Sequence, residues 1–448
     1  MASTLHLPNP CTHFSTSYTD FCNRPTNFSQ FSLPKRTQKV ISPSKLRSVA
    51  SCSVVAPTVS PESDNSSELA TVWREIQGSN NWENLLDPLD PILRDEIARY
   101  GEFVNACYKA FDLNPNSKRY LNCKYGKKNM LTQVGLSNSG YEVTKYIYAT
   151  PDVTIPIQNE SSCGRWIGYV AVASDREVQR LGRRDIVITF RGTVTNPEWM
   201  SNFMSSLTPA RLDPHNPRPH VMVESGFLSL YTSDESDCKF GLGSCREQLL
   251  SEISRILYKY KGEELSITLA GHSMGSSLAL LLAYDIAELG LNKVDISMPK
   301  IPITVFSFGG PRVGNLSFKE RCEELEVKIL RVVNVNDPIT KLPGVFINEN
   351  FKVLGYEVPW SCSCYVHVGV QLAFDFFRML NPVCVHDLET YISILRPPKR
   401  QEEATQETIG FNFIEKAREL LFQAHNFDPS PWRNAAANMV NLMQSQRT

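Results

Sequence analysis

The pentapeptide Gly271-His272-Ser273-Met274-Gly275 constrains this 448-residue chain more than any other stretch of it. It follows the apolar run Leu265-Ser266-Ile267-Thr268-Leu269-Ala270, which reads as a buried strand, and precedes Ser276 to Leu289, which reads as a helix. A serine between strand and helix, flanked by small residues, fits a nucleophile elbow. Gly271 and Gly275 let the two elements close on each other without a Cβ clash. The turn presents the Ser273 hydroxyl at a helix N-terminus and leaves the Met274 N–H free to donate to an oxyanion.

The surrounding pattern supplies the fold such an elbow needs. Ile92 to Phe111 has apolar residues at helical spacing, Ile92, Leu93, Ile97, Tyr100, Phe103, Val104, Cys107 and Phe111. Gly140 to Ala149 and Gly164 to Ser174 read as strands, and Asp185 to Phe190 as a short buried one. A helix from Ser244 to Lys261 precedes the elbow strand. Beyond the elbow come a strand Ile303 to Phe308, a helix Ser317 to Leu325 and a strand Lys328 to Val335. This alternation predicts an α/β fold, a mostly parallel sheet covered by helices on both faces.

An elbow serine takes its acid and its base from later in the chain. Asp337 follows the strand and precedes Pro338, which turns the chain; Asp285 and Asp295 lie in the helix after the elbow and in the loop beyond it and fit less well. Three histidines follow Asp337. His367 stands in the alternating stretch Tyr365 to Gly369, where a strand would fix its ring, and His425 lies far toward the C-terminus. His386 comes after Pro382 and just before a helix start at Asp387, where a ring can swing between serine and acid, so the reading prefers it. His272 is expected to point away from Ser273 and to pack beneath the elbow.

The second oxyanion donor is expected after an earlier strand, at Thr193 in Phe190-Arg191-Gly192-Thr193. Pro197 then suits a helix's first turn, and Trp199, Met200, Phe203, Met204 and Leu207 repeat as an amphipathic helix. That face either packs permanently on the core or forms a lid opening at a lipid surface.

Composition limits the partners. The 46 Lys and Arg nearly balance 47 Asp and Glu, for a net charge of -1, so no field is available to hold nucleic acid. The most apolar stretch, Leu278 to Ala283, is interrupted at Asp285 and is too short to span a bilayer. Twelve cysteines are too sparse for a disulfide scaffold. Most are expected to be free thiols; a Cys238–Cys245 bridge is the weaker expectation, and Cys362 with Cys364 lacks the spacing of a metal site.

Residues 1–60 hold one acid, Asp20, against Arg24, Lys35, Arg36, Lys39, Lys45 and Arg47, with roughly a third Ser or Thr and no apolar signal core. This is a transit peptide's composition, favouring plastid import over secretion. The domain reading is therefore a leader over 1–60, a linker and N-terminal extension over 61–84, a catalytic domain over 85–396, and a partly helical extension over 397–448. In the last, Ile414, Ala417, Leu420 and Leu421 suggest a helix docked on the body rather than a membrane anchor.

Five segments together resemble the class 3 lipase family of α/β-hydrolases: Phe190 to Thr193, Glu224-Ser225-Gly226-Phe227, the elbow, Phe308 to Asn315, and Asn336-Asp337-Pro338. Arg99-Tyr100-Gly101-Glu102-Phe103 and Leu181-Gly182-Arg183-Arg184-Asp185 are similar to the plant phospholipase A1 class I group. The resemblance implies a triad of Ser273, Asp337 and His386, and oxyanion donors at Thr193 and Met274. It also implies a lid at about residues 194–212, no metal or cofactor, and plastid membrane glycerolipids as substrates. Met274 departs from the usual Leu, harmlessly if only its N–H is used. Triacylglycerol lipase or general carboxylesterase activity is the enzymatic alternative, and a lipase-like signalling scaffold the non-enzymatic one.

Overall fold

The computed structural model describes residues 64–396, apart from 151–163, 195–205, 235–242, 294–298, 345–351, 354–355, 358–363 and 377–381. Eleven strands occur among the described residues: β1 (Tyr141–Ala149), β2 (Arg165–Ala173), β3 (Arg184–Phe190), β4 (Leu207–Pro209), β5 (Met222–Glu224), β6 (Leu265–His272), β7 (Ile303–Phe308), β8 (Lys328–Asn334), β9 (Lys352–Val353), β10 (Tyr356–Glu357) and β11 (Val370–Phe374). Seven form the main sheet, in the order β1-β2-β3-β6-β7-β8-β11. The first two pairings are antiparallel and the other four parallel.

The sheet divides two cores, and strand alternation decides which residue enters each. In β3, Ile186, Ile188 and Phe190 face one core while Val187 faces the other. The first core is completed by the helices Cys245–Lys259 and Met274–Glu288, the second by Pro91–Ala110 and Leu388–Leu395. The buried runs that read as strands thus lie in a sheet covered on both sides.

Local chemistry sets the helix ends that matter. Asp90 caps the helix Pro91–Ala110 by accepting from the Ile92 and Leu93 amides, with proline at its first position. Ser244 and Glu247 form a reciprocal capping box at the helix starting at Cys245. The apolar stretch Leu278 to Ala283 lies wholly within the helix Met274–Glu288, which is buried over nearly its whole length and packs on β6, β7 and β3. Its hydrophobicity serves the core. No described helix is long and apolar enough to cross a membrane.

The stretch read as linker and N-terminal extension contains the helix Asp64–Ile76, and Leu69, Trp73, Ile76 and Trp82 are buried in the second core. Leu69, Trp73 and Ile76 repeat at i, i+4 and i+7, and that face outweighs the polar residues before it. Leu207 is not helical: it pairs with Glu224 in the β4–β5 ribbon. Pro209 disfavours helical backbone at Thr208, and the strand pairing with Glu224 takes Leu207 out of the amphipathic repeat. The remainder of that repeat, Trp199, Met200, Phe203 and Met204, lies outside the described residues. His367 is not in a strand either; β11 begins only at Val370, after Gly369 at φ +91°.

Candidate active site

Ser273 follows β6 directly and opens the helix Met274–Glu288, with φ 57° and ψ -128°. A non-glycine residue rarely holds this conformation, and its neighbours impose it. A Cβ on Gly271 would collide with the Gly275 carbonyl, and one on Gly275 would lie 2.5 Å from the carbonyl oxygens of Phe190 and Arg191. The Ser273 amide donates to the Phe308 carbonyl of β7 at 3.0 Å, which ties the elbow to the neighbouring strand. The serine itself is 3% exposed.

Asp337 and His386 meet at the same edge of the sheet. Asp337 sits three residues beyond β8, fully buried, and its Oδ2 lies 2.6 Å from His386 Nδ1. Its other oxygen accepts from the Ile339 amide at 2.9 Å, so both oxygens have fixed partners. His386 ends a short 3-10 turn, Pro382–His386, and Asp387 caps the following helix by accepting from the Thr390 amide. His386 Nε2 is buried and has no hydrogen-bond partner. An imidazole whose Nδ1 is held by a carboxylate and whose Nε2 is uncommitted is suited to take and return a proton.

Thr193 and Met274 also come together, the Thr193 hydroxyl donating to the Met274 sulfur at 3.5 Å. Met274 is the first residue of its helix, where the amide has no helical acceptor. Thr193 follows Arg191, whose amide bonds the Ile167 carbonyl and whose guanidinium holds the carbonyls of Trp166 and Gly192. The loop after β3 is thereby tied to β2.

The other candidates are accounted for elsewhere. Asp285 is buried in an ion pair with Arg246 at 2.7 Å and accepts from the Tyr231 hydroxyl, a bond that staples helices together. His367 lines a small cavity with Ser276, Ser307, Arg312 and Arg331. Burial, then Arg331 and Arg312, push its pKa down to about 2, so it cannot collect a proton near neutral pH. Asp295, His425, Cys238 and Cys362 lie outside the described residues, and Cys245 is a buried thiol.

Sequence reasoning did not find Tyr391, whose hydroxyl donates to Asp337 Oδ2, nor Asn334, whose side-chain amide holds the Val385 carbonyl at 3.2 Å beside His386. Nothing in their local sequence distinguishes them from core residues.

The family profile described as Lipase (class 3) matches residues 187–347, which includes the end of β3, the elbow and Asp337. The chain is 65% identical over 382 residues to the Arabidopsis thaliana protein named Galactolipase DONGLE, chloroplastic, covering 84% of this chain and 81% of that one. It is 64% identical to Phospholipase A1-Ialpha2, chloroplastic, of Arabidopsis thaliana, with coverages of 82% and 78%. Phospholipase A1 EG1, chloroplastic/mitochondrial, of Oryza sativa subsp. indica is 56% identical, with coverages of 84% and 86%. The chain belongs to the class 3 lipase family. Within this lipase the matched region ends before His386, so the histidine paired with Asp337 lies in chain beyond the profile.

Proposed function

We propose that this lipase is a serine acyl hydrolase of membrane glycerolipids in the chloroplast, a phospholipase A1 with galactolipase activity. The observation that carries the reading is the 2.6 Å contact of His386 Nδ1 with buried Asp337, at the sheet edge where Ser273 is held in a strained elbow. Ser273 Oγ attacks the ester carbonyl while His386 Nε2 takes its proton, and Asp337 holds the imidazole tautomer and stabilises the imidazolium. The tetrahedral oxyanion accepts from the Thr193 and Met274 amides, and His386 returns the proton to the departing alcohol. Water activated by the same histidine clears the acyl-enzyme.

The substrate class and the plastid address follow the three relatives, whose names give phospholipase A1 or galactolipase and a chloroplast location. The acid-poor leader over 1–60 supports that address. The sn-1 ester is the proposed site of attack.

The test is a parallel assay of a bilayer phospholipid, a galactolipid, triolein and a soluble short-chain ester with wild type and Ser273→Ala. The proposal expects release of the sn-1 fatty acid from the first two, little from triolein, and none with Ser273→Ala. Preferred hydrolysis of triolein or of the soluble ester would replace it with the corresponding alternative, and full activity of Ser273→Ala would remove the mechanism.

A further inference from the structure

His272 is buried beside His386, and both of its ring nitrogens are engaged. Tyr108, near the end of the helix Pro91–Ala110, places its hydroxyl oxygen 2.7 Å from His272 Nδ1 and 2.6 Å from the Gly192 amide nitrogen. On the opposite side His272 Nε2 is 3.0 Å from the main-chain carbonyl of His386. The His272 and His386 rings lie with centroids 4.7 Å apart.

The partners fix the direction of every bond in this chain. The Gly192 amide can only donate, so the Tyr108 oxygen accepts from it. The His386 carbonyl can only accept, so His272 Nε2 carries a hydrogen. Burial first, and the neighbouring His386 second, hold the His272 pKa well below the usual imidazole value, so the ring is neutral and has no second N–H. Its Nδ1 therefore accepts, and the Tyr108 hydroxyl donates to it. A neutral imidazole with a single tautomer becomes a spacer of fixed length between two carrier segments. One segment leads from Gly192 into Thr193; the other carries His386.

We propose that Tyr108 and His272 are positioning residues, which through the continuous chain Gly192 N–H, Tyr108 hydroxyl, His272 imidazole and His386 carbonyl set the spacing between the oxyanion donor and the general base. The inference rests on the roles assigned above to Ser273, His386 and Thr193. It requires more than packing: loss of one link should release the other, because the hydrogen-bonded path from the Tyr108 hydroxyl to the His386 carbonyl runs through the His272 ring.

Tyr108→Phe removes one oxygen and preserves the ring, so it tests the link with little risk to folding. On a soluble short-chain ester, kcat is expected to fall about 10- to 100-fold, with KM within about twofold of wild type, because misplacement of reacting groups costs the transition state more than binding. His272→Gln, which keeps a donor near the Nε2 position for the His386 carbonyl, should retain more kcat than His272→Leu. Tyr108→Phe combined with His272→Leu should be no slower than His272→Leu alone, since the chain is already cut. Multiplying losses in the double variant, equal kcat for the Gln and Leu variants, or a Tyr108→Phe enzyme with wild-type kcat would each overturn the proposal. Ser273→Ala and labelling by a fluorophosphonate, run alongside, separate this outcome from failure of the underlying reading: an unlabelled, still active Ser273→Ala enzyme refutes the mechanism itself, whereas a dead Ser273→Ala with normal Tyr108→Phe refutes only the spacing role.

Discussion

Tyr391 donates its hydroxyl to the same Asp337 oxygen that holds His386, at 3.1 Å, while its own oxygen accepts from the Asn334 amide at 2.8 Å. Burial first, and the adjacent carboxylate second, keep the phenol well above its ordinary pKa, so it remains a donor across the working pH range. The phenol thereby links the end of β8 at Asn334 to Asp337 three residues later. Tyr391→Phe should lower kcat on a soluble ester about 3- to 30-fold and cost about 1 to 2 kcal/mol of stability, because the Asn334 amide loses a buried acceptor. A kinetic assay paired with urea unfolding checks both. Unchanged kcat with lowered stability would confine Tyr391 to a structural role.

Gly309, just past β7, adopts φ +56°, and a Cβ there would lie 3.0 Å from Asp337 Oδ2 and 3.2 Å from His386 Nδ1. An alanine would be strained in backbone and would press on the pair's shared contact. Gly309→Ala is expected to lose activity by at least about tenfold, with about 1 to 2 kcal/mol of destabilisation. Full activity at normal stability would show that the Asp337–His386 contact can shift freely without cost.

The parallel core was legible because it depends on local signals: short apolar runs such as Ile186 to Phe190 and Ile303 to Phe308, bounded by charge, glycine or proline. Asp337 was singled out for a similar reason, as an aspartate that a proline follows at a strand's end, and it meets His386. Leu207 was misread because an apolar residue at helical spacing looks the same whether or not Pro209 ends the repeat, and tertiary pairing with Glu224 decides. His367 looked like a strand residue because Tyr365-Val366-His367-Val368 alternates, but Val366 makes an isolated bridge to Gly314 and Gly369 turns the chain before β11 begins. The supports of the site left no pattern at all. Tyr391 is 54 residues from Asp337 and Tyr108 is 164 from His272, and contacts between such distant positions have no periodicity to read.

Of the three histidines after Asp337, the two described ones, His367 and His386, should separate cleanly by mechanism. His386→Ala removes the proposed proton acceptor from a partly exposed turn, and should lower turnover by about ten-thousand-fold or more with a small change in melting temperature. Adding Ser273→Ala should make little further difference, since triad members act as a unit. His367→Ala removes a neutral ring from a cavity between Arg312 and Arg331, and should act on stability while leaving kcat of the folded enzyme near wild type. Melting curves and soluble-ester kinetics on both variants decide it. An inactive, normally folded His367→Ala would reverse the assignment of the base.

Glu224 gives the lipase a stability signature that depends on pH. The residue is fully buried at the end of the β4–β5 ribbon, where its Oε2 accepts from the Phe227 amide at 2.7 Å and its Oε1 has no hydrogen-bond partner. Burial raises its pKa from 4.5 to about 7, against the opposing pull of the Phe227 and Gly226 amides. With the folded pKa above the unfolded one, the native state binds the extra proton, so this group's stabilising contribution is fully present below about pH 4.5 and is lost as pH rises through about 7. Glu224→Gln keeps an acceptor for the Phe227 amide and cannot ionise. Relative to that variant, wild type should lose on the order of 2 to 3 kcal/mol between these limits and change little above them. Urea unfolding of both proteins at pH 4.5, 6 and 8 measures the difference directly. A wild-type to Glu224→Gln gap that stays constant across the series would mean that the buried carboxyl ionises at its ordinary pKa, and that the ribbon supplies a partner for Oε1.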